Sequence, residues 1–415
     1  MLNTREQRGL EIAAVCKIDR RADGSWSVPS QSGQGRYTVR VGECPADCHC
    51  DCPDHEMRGE RCKHMFAVEY AMKRERNADG STTVTESVRI TSTTRTTYPQ
   101  NWPAYNAAQA AEKEEFQRLL RDLVRDVPNP IQQGRGQRRL ALSDAIFCVA
   151  FKVYSTVSGR RFTSDLCDAR AKGYIDRVPH FNSIFNYLEN PALTPILESL
   201  IATAGLPLQS VECDFAVDST GFMTSRFTRW FDKKYGVVRN DHDWVKAHFI
   251  CGVKTNVVTA VEIHERTAND TPRLPSLLDT TARNGWNVRE VSADKAYASV
   301  DNFNAIGHHG ATPFIPFKSS HTGKAGGLFA KAFHFFNFNR DDFLAHYHKR
   351  SNIESTVSMI KAKFRDHVRS KTDVAMKNEV LCKVLCHNIC CLIAAMFELG
   401  IQPVFAGAPA VAMGV

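Results

Sequence analysis

The sequence lacks a strongly apolar start. Its opening stretch, MLNTREQRGLEIAAVCK, holds no apolar run of the length a signal peptide needs, which argues against secretion. The most apolar late segment, residues 380–399, is interrupted by Lys383, His387 and Glu398, and reads as a packed helix rather than a membrane span. A large charge of one sign is missing too. A net charge of +8 with a pI near 8.8 is a mild basic excess, which fits a polyanionic partner without requiring one. There is no internal repeat. The Gly-Lys pair in the glycine-rich stretch HTGKAGG, Gly323-Lys324, is followed by Ala325. The full G-x4-G-K-[ST] phosphate loop is therefore absent, and nucleotide binding there is excluded.

Cysteine, by contrast, is plentiful, with 14 in the chain. Without a secretion signal a reducing compartment is expected, where clustered cysteines read as metal ligands before disulfides. Five of them, Cys44, Cys48, Cys50, Cys52 and Cys62, fall in one short segment ending CHCDCPDHEMRGERCKHM. Cys50, Cys52, Cys62 and His64 form a C-x-C…C-x-H set that can close a tetrahedral structural zinc site. Pro53 and Gly59 can turn the chain between the two ligand pairs, and a helix over 63–72 carries Met65, Phe66, Val68 and Ala71 on its apolar face. Cys48-x-Cys50 is an alternative first pair, and His49 and His55 lie nearby. The arrangement resembles the SWIM zinc finger over roughly residues 36–72, and both DNA and protein are candidate partners for it.

Further along, composition changes mark boundaries. We expect a zinc module at 1–75, with strands near 25–29 and 36–41, then a threonine-rich linker at 76–106 that cannot bury enough to fold alone. A helical region should occupy 107–207. Within it, TSDLCDARAKGYIDRVPHFNSIFNYLEN reads as helix, turn, helix, with Pro179 in the first turn of the second helix. DNA-reading helix-turn-helix units have this form, as do ordinary helical hairpins. Arg135, Arg138 and Arg139 lie in a basic connector that could track phosphates. From 208 to 400 the pattern becomes strand-rich and then alternates with helices, which indicates an α/β domain with a mixed sheet. Residues 401–415 form a tail.

Three carboxylates and a basic stripe carry the chemistry. In YHKRSNIESTVSMIK, Tyr347, Arg350, Glu354 and Lys361 follow the pattern Y-x2-R-x3-E-x6-K. Spacings of 3, 4 and 7 put them on one face of a long helix expected from about residue 341. Two cations, a phenol and a carboxylate make a poor core face and a good face for phosphate and metal. Asp218 in VECDFAVDSTGF and Asp294 in REVSADKAYAS are expected to close strands. Taken singly, each has an ordinary reading: Asp218 as a turn residue, Asp294 paired with Lys295 or Arg289, Glu354 bridged to Arg350 or Lys361. Together they suit a site where three carboxylates hold two hard cations and a phosphodiester is cut.

From about residue 140 to 399 these motifs, with D-S-T-G and A-D-K-A-Y in order, resemble the bacterial insertion-sequence transposases of the DDE class, in the branch carrying the Y-x2-R-x3-E-x6-K signature. The resemblance implies a ribonuclease-H-like catalytic domain, preceded by a helical domain and the zinc module. It implies that Asp218, Asp294 and Glu354 bind two Mg2+ or Mn2+ ions, and that Tyr347, Arg350 and Lys361 hold the DNA end. The expected activity is strand cleavage followed by 3′-hydroxyl strand transfer. The partners would be double-stranded DNA, as terminal inverted repeats and target, and further copies of the chain in a homodimer or larger synaptic complex, in the cytoplasm on the nucleoid. The competing reading is a catalytically silent, transposase-derived DNA-binding regulator with a zinc finger. One departure stands out: only fifty-nine residues separate Asp294 from Glu354, leaving room for TPFIPFK and a Phe- and His-rich loop in place of the large β-rich insertion of some relatives.

Overall fold

The computed structural model describes residues 4–31, 35–42, 47–76, 82–86, 101–130, 139–224, 234, 236 and 244–405. Two compact units divide the chain, Met1–Pro99 and Gln100–Val415.

In the first unit, helix α1 (Thr4–Val15) precedes an antiparallel sheet of β1 (Asp19–Arg20), β2 (Trp26–Pro29), β3 (Arg36–Arg40) and β4 (His49–Cys50), followed by α2 (Pro53–Arg58) and α3 (Lys63–Ala71). Helices α1 and α3 pack closely because Gly9 has no side chain. A Cβ there would lie 2.5 Å from that of Phe66 and 2.9 Å from the Lys63 carbonyl oxygen. The core of this unit is small. It gathers Ile12, Trp26, Val28, Val39, Met65 and Val68 around the thiols of Cys50, Cys52 and Cys62. Part of the stretch read as a linker is a hairpin, in which β5 (Met72–Arg76) pairs antiparallel with β6 (Thr82–Glu86). The four successive β-branched residues of TTVTE favour the extended chain. Residues 87–100 lie outside the described ones.

The second unit has one continuous core. Helices α4 (Trp102–Val124), α5 (Leu142–Ser155), α6 (Gly159–Ala171), α7 (Phe181–Leu188) and α8 (Leu193–Gly205) lead into a five-stranded mixed sheet. Pro179 stands two residues before α7, whose N-cap is His180, rather than in its first turn. The strands are β7 (Asp214–Met223), β8 (Trp244–Gly252), β9 (Val258–His264), β10 (Glu290–Ala293) and β11 (Thr312–Phe314), in the order β11-β10-β7-β8-β9. Strand β8 runs antiparallel to β7 and β9, while β10 is parallel to both β7 and β11. Phe215, Ala216 and Val217 are all buried, as a central strand covered on both faces requires.

The helices that follow cover the sheet. α9 (Leu274–Arg283) and α10 (Val300–His308) come before and after β10. α11 (Gly327–Phe338), α12 (Arg340–Tyr347), α13 (Ser351–Phe364) and α14 (Asp373–Leu399) complete the unit. The Phe- and His-rich loop expected here is helix α11. Phe329, Phe333 and Phe336 recur at helical spacing and meet Phe317, which also packs on Phe303. The single long helix expected from residue 341 is two helices, α12 and α13, separated by a 3-10 turn at His348–Arg350. Helix α14 is long and apolar enough to cross a membrane by length and composition, but most of it is buried within the protein. Its polar side chains explain that placement. Asn388 donates to the carbonyls of Ile201 and Val258 and accepts from Val258 N, so a buried amide is fully used in joining α8 and β9 to α14.

Candidate functional site

Asp218 sits inside β7, not at its end, and Ser-Thr-Gly after it continues the strand rather than turning. Strand β8 accounts for this, because it pairs with β7 residue by residue from Phe215 to Met223. Asp294 does close its strand, as the residue immediately after β10 and the N-cap of a 3-10 turn. The parallel register sets Ala293 beside Val217, so the next residue of each strand is Asp294 and Asp218. Side chains alternate along a strand. Residues 218, 220 and 222 face α13, where Lys361 Nζ donates to Thr220 Oγ1 at 2.6 Å and lies 5.5 Å from the Phe222 ring centre.

Glu354 comes from the first turn of α13 rather than the interior of a long helix. Its neighbour one turn back, Arg350, donates to Glu354 Oε1 at 2.6 Å and to Asp218 Oδ2 at 3.4 Å. One guanidinium therefore bridges two of the three carboxylates. Burial works against the Arg350 charge, but Glu354 and Asp218 outweigh it and hold its pKa up. Asp218 is raised above its ordinary value, first by burial and then by the negative fields of Asp294 and Glu354, against the pull of Ser219 N and Arg350. Burial also raises the Tyr347 phenol; Arg350 opposes this, while Asp294, Glu354 and Asp218 add to it. The break at 348–350 thus leaves Tyr347 and Arg350 in the field of the same carboxylates. Asp218 lies in the field of the two other acids while one cation bridges it to Glu354, an excess of negative charge that a divalent ion would relieve. The donor set is all oxygen, which suits a hard cation.

Of the ordinary readings, Glu354 does bridge to Arg350. Arg289 is engaged elsewhere, on Asp214 at 2.9 and 3.0 Å, and among the described residues no hydrogen bond joins Asp294 to Lys295 or Arg289. Trp286 is core, edge-on to Phe215, while Trp244 is half-exposed under Arg266. Arg135 and Arg138 lie outside the described residues. Sequence reading missed the polar group on the opposite sheet face. His248, in register with Ser219, is fully buried 3.4 Å from Asp270, which Lys246 holds at 2.7 Å. Burial pushes the His248 imidazole down to about 4. Lys246 and His248 share a face of β8 through their i, i+2 spacing, but nothing local connects them to Asp270.

In the first unit, Cys50, Cys52, Cys62 and His64 come together, all four buried, with one ligand atom from each lying within 4.8 Å of the others. Cys52 caps α2, where Pro53 opens the helix and Gly59 ends it at φ 67°, and Cys62 caps α3. Burial raises the Cys52 thiol above its ordinary value. His64 Nδ1 is 3.9 Å from both Cys50 Sγ and Cys62 Sγ. The hydrogen bond shared by Cys50 and Cys62 raises the first thiol and lowers the second. Cys48 is half-buried and outside the cluster, so the first pair is Cys50 and Cys52; Cys44 lies outside the described residues. The three sulfurs and one imidazole are compatible with a structural zinc ion.

Acidic residues on adjacent strands of a mixed sheet, faced by a helix carrying Arg350 and Lys361 at its two ends, make an arrangement that can hold cations and phosphates. Residues 209–389 match the family model described as the transposase DDE domain, a span that runs from just before β7 into α14 and includes all three carboxylates. The match supports a DDE transposase, an enzyme class that uses divalent metals and binds DNA, typically as oligomers. Neither the curated proteins nor the solved structures include one that matches the chain.

Proposed function

We propose that the chain is a metal-dependent DNA transposase whose sheet is ribonuclease-H-like, with Asp218, Asp294 and Glu354 as the catalytic carboxylates. The observation that supports this reading most is the parallel register of β7 and β10, which sets Asp294 alongside Asp218 on the side from which Arg350 ties in Glu354. The three carboxylates would hold two Mg2+ or Mn2+ ions. When bound, these ions supply charge neutralisation and alignment of attacking and leaving oxygens at the phosphodiester. Arg350 then exchanges a carboxylate for phosphate, which its planar fork can grip through two parallel hydrogen bonds. Lys361, fixed on Thr220, adds a point charge beside the strand end, and the Tyr347 hydroxyl packs against the same DNA end. Two phosphoryl transfers follow, strand cleavage and attack of the freed 3′-hydroxyl on target DNA, so positioning and charge stabilisation carry most of the acceleration.

The other assignments belong to the same reading. Cys50, Cys52, Cys62 and His64 hold one structural Zn2+ in a SWIM-type finger. The helical region before the sheet binds terminal inverted repeats, and two ends are brought together by a homodimer or larger complex on the nucleoid. The competing reading, a catalytically silent DNA-binding regulator, has the intact set of three carboxylates against it. The test is to incubate the purified chain with labelled DNA carrying the boundaries that flank its gene, with Mg2+ or Mn2+ and with EDTA, beside Glu354→Gln. Metal-dependent cleavage at the boundary, lost in the variant, is the expected result. Binding without cleavage by the wild type would favour the regulator.

A further inference from the structure

The segment after α13 closes a second cavity, remote from the carboxylates. It leaves the helix at Arg365, whose φ of 75° is a conformation that a non-glycine residue keeps only where its surroundings fix it. The chain then returns along the end of β7. Met223 N donates to Asp366 O at 3.1 Å, and Val368 N donates to Met223 O at 2.9 Å. Between this segment, α5 and the first turns of α14 lies a cavity of about 70 Å³. A water needs about 10–15 Å³ by this measure, so there is room for roughly five water-sized groups, the heavy-atom count of one phosphate.

The charged lining is mostly cationic, Lys152, Arg365, Arg369 and Lys383 against one carboxylate, Glu379. That carboxylate is already used. It accepts from Arg369 N at 2.9 and 3.0 Å and from Ser370 N and Oγ at 2.8 Å, and lies 3.9 Å from Lys383. Lys383 in turn donates to the carbonyls of Arg365 and His367. Arg365 and Arg369 each spend one donor on a carbonyl at the end of α5, Thr156 and Val157 respectively, and a guanidinium carries five N–H donors. Lys152 is the exception. It is only 6% exposed, and among the described residues no hydrogen bond or ion pair reaches its ammonium, which lies 5.8 Å from the Phe162 ring centre and in the favourable field of Glu379. Burial, and then the field of Arg369, push this ammonium down to about 8. A cation on so largely buried a side chain with no bonded partner is costly, and an anion in the cavity would supply one.

We propose that this cavity is an oxyanion site that takes one backbone phosphate of a DNA strand, with Lys152 and Arg369 as its principal donors. The DNA assignment rests on the transposase reading. Its structural basis is a line of cations along β7: Lys361 and Lys383 lie over the same Phe222 ring, at 5.5 and 5.3 Å, between Asp218 and the cavity. The strand from Asp218 to Met223 spans roughly 17 Å, about five phosphates along one strand of a B-form axis. A strand end at the carboxylates can therefore reach the cavity with a phosphate further back.

The test uses the full chain. Inorganic phosphate, compared with chloride at matched ionic strength, should raise the wild-type melting temperature by a few degrees. It should leave Lys152→Met unmoved and act again on Lys152→Arg. In chloride, Lys152→Met should melt at or above the wild type, because it no longer buries a cation. With boundary DNA, the slope of log affinity against log salt should fall by about one in both Lys152→Met and Arg369→Gln. Glu354→Gln, which tests cleavage, should change neither readout, so the two readings fail separately. A phosphate response retained in Lys152→Met overturns the site. An unchanged salt slope in both variants overturns the DNA assignment, and phosphate protection that is lost in Lys152→Met and kept in Lys152→Arg would then mark a free-anion site.

Discussion

The two candidate metal centres differ in how they are held. The Cys50, Cys52, Cys62 and His64 cluster is closed, buried and built from one short segment, and three of its four side chains belong to the small core of their unit. The carboxylate cluster is open, with the Glu354 side chain 61% exposed, and its members come from two strands and a helix supported by a much larger core. The comparison teaches a division of labour. A closed site with sulfur ligands can stand in for missing hydrophobic burial in a small unit, whereas an open site with oxygen ligands depends on a fold that is stable without it.

The largest expected effect breaks the comparison at its closed end. Chelation, or Cys62→Ser, should unfold the first unit, since apparent zinc binding in small domains is worth about 10 kcal/mol or more. Zinc stoichiometry and limited proteolysis of the full chain would follow it, and a first unit that stays protease-resistant without metal would show that the cluster is not structural. At the other end, Leu385→Ala, a fully buried position in α14, should cost the second unit about 2–5 kcal/mol in denaturant unfolding, with zinc content unchanged. Glu354→Gln should reverse that pattern. Cleavage should fall by about 10²–10³-fold, the range for removing one charge-stabilising group from a site, with little change in melting temperature at so exposed a position. A large loss of stability would instead make Glu354 a structural ion-pair residue.

Acid sharpens the contrast by a smaller margin. Burial holds His387 at about 4, where its Nε2 meets the Asn256 carbonyl oxygen at 2.9 Å. The unfolded imidazole titrates near 6.5. Between these values the unfolded chain binds a proton that the folded chain refuses, so stability is lost as pH falls from about 6.5 towards 4. The loss is at most about 2 kcal/mol at pH 5 for this one group. His387→Gln should make the decline between pH 7 and pH 5 shallower; an identical decline would exclude His387 as a cause. The smallest effect is that of Arg350→Ala on DNA binding, a reduction of the salt slope by about one. An unchanged slope would leave Arg350 as a bridge between carboxylates and nothing more.

How much of this was legible in the sequence varies with distance along the chain. The first-unit cluster was readable almost entirely, because C-x-C and C-x-H pairs a few residues apart leave little freedom of placement. The choice between Cys48 and Cys52 was not, since both spacings are equivalent until β4 ends at Cys50 and α2 begins at Pro53. In the second unit the Arg350 and Glu354 pair was visible as an i, i+4 spacing, but the helix break before it was not, because YHKR carries no glycine or proline to announce one. Asp218 looked like a strand end because Ser-Thr-Gly is turn-like locally. Pairing with β8, which continues residue by residue from Asp218 to Met223, overrode that preference. The expected Phe-rich loop proved helical for a similar reason, as aromatic burial against Phe303 and Phe317 organises it.

By itself, then, the sequence determined the identities and order of the chemistry-bearing residues: four zinc-type ligands, three carboxylates, and the Tyr347, Arg350 and Lys361 set. Short spacings decide which side chains share a turn or a helix face, and those are local facts. Only the tertiary structure decided that Asp294 stands beside Asp218, that Arg350 joins Asp218 to Glu354, and that Lys152 meets Arg365 and Arg369 across more than two hundred residues. These meetings follow from which strands pair and which helices bury their faces together, and that choice is made by the whole core at once.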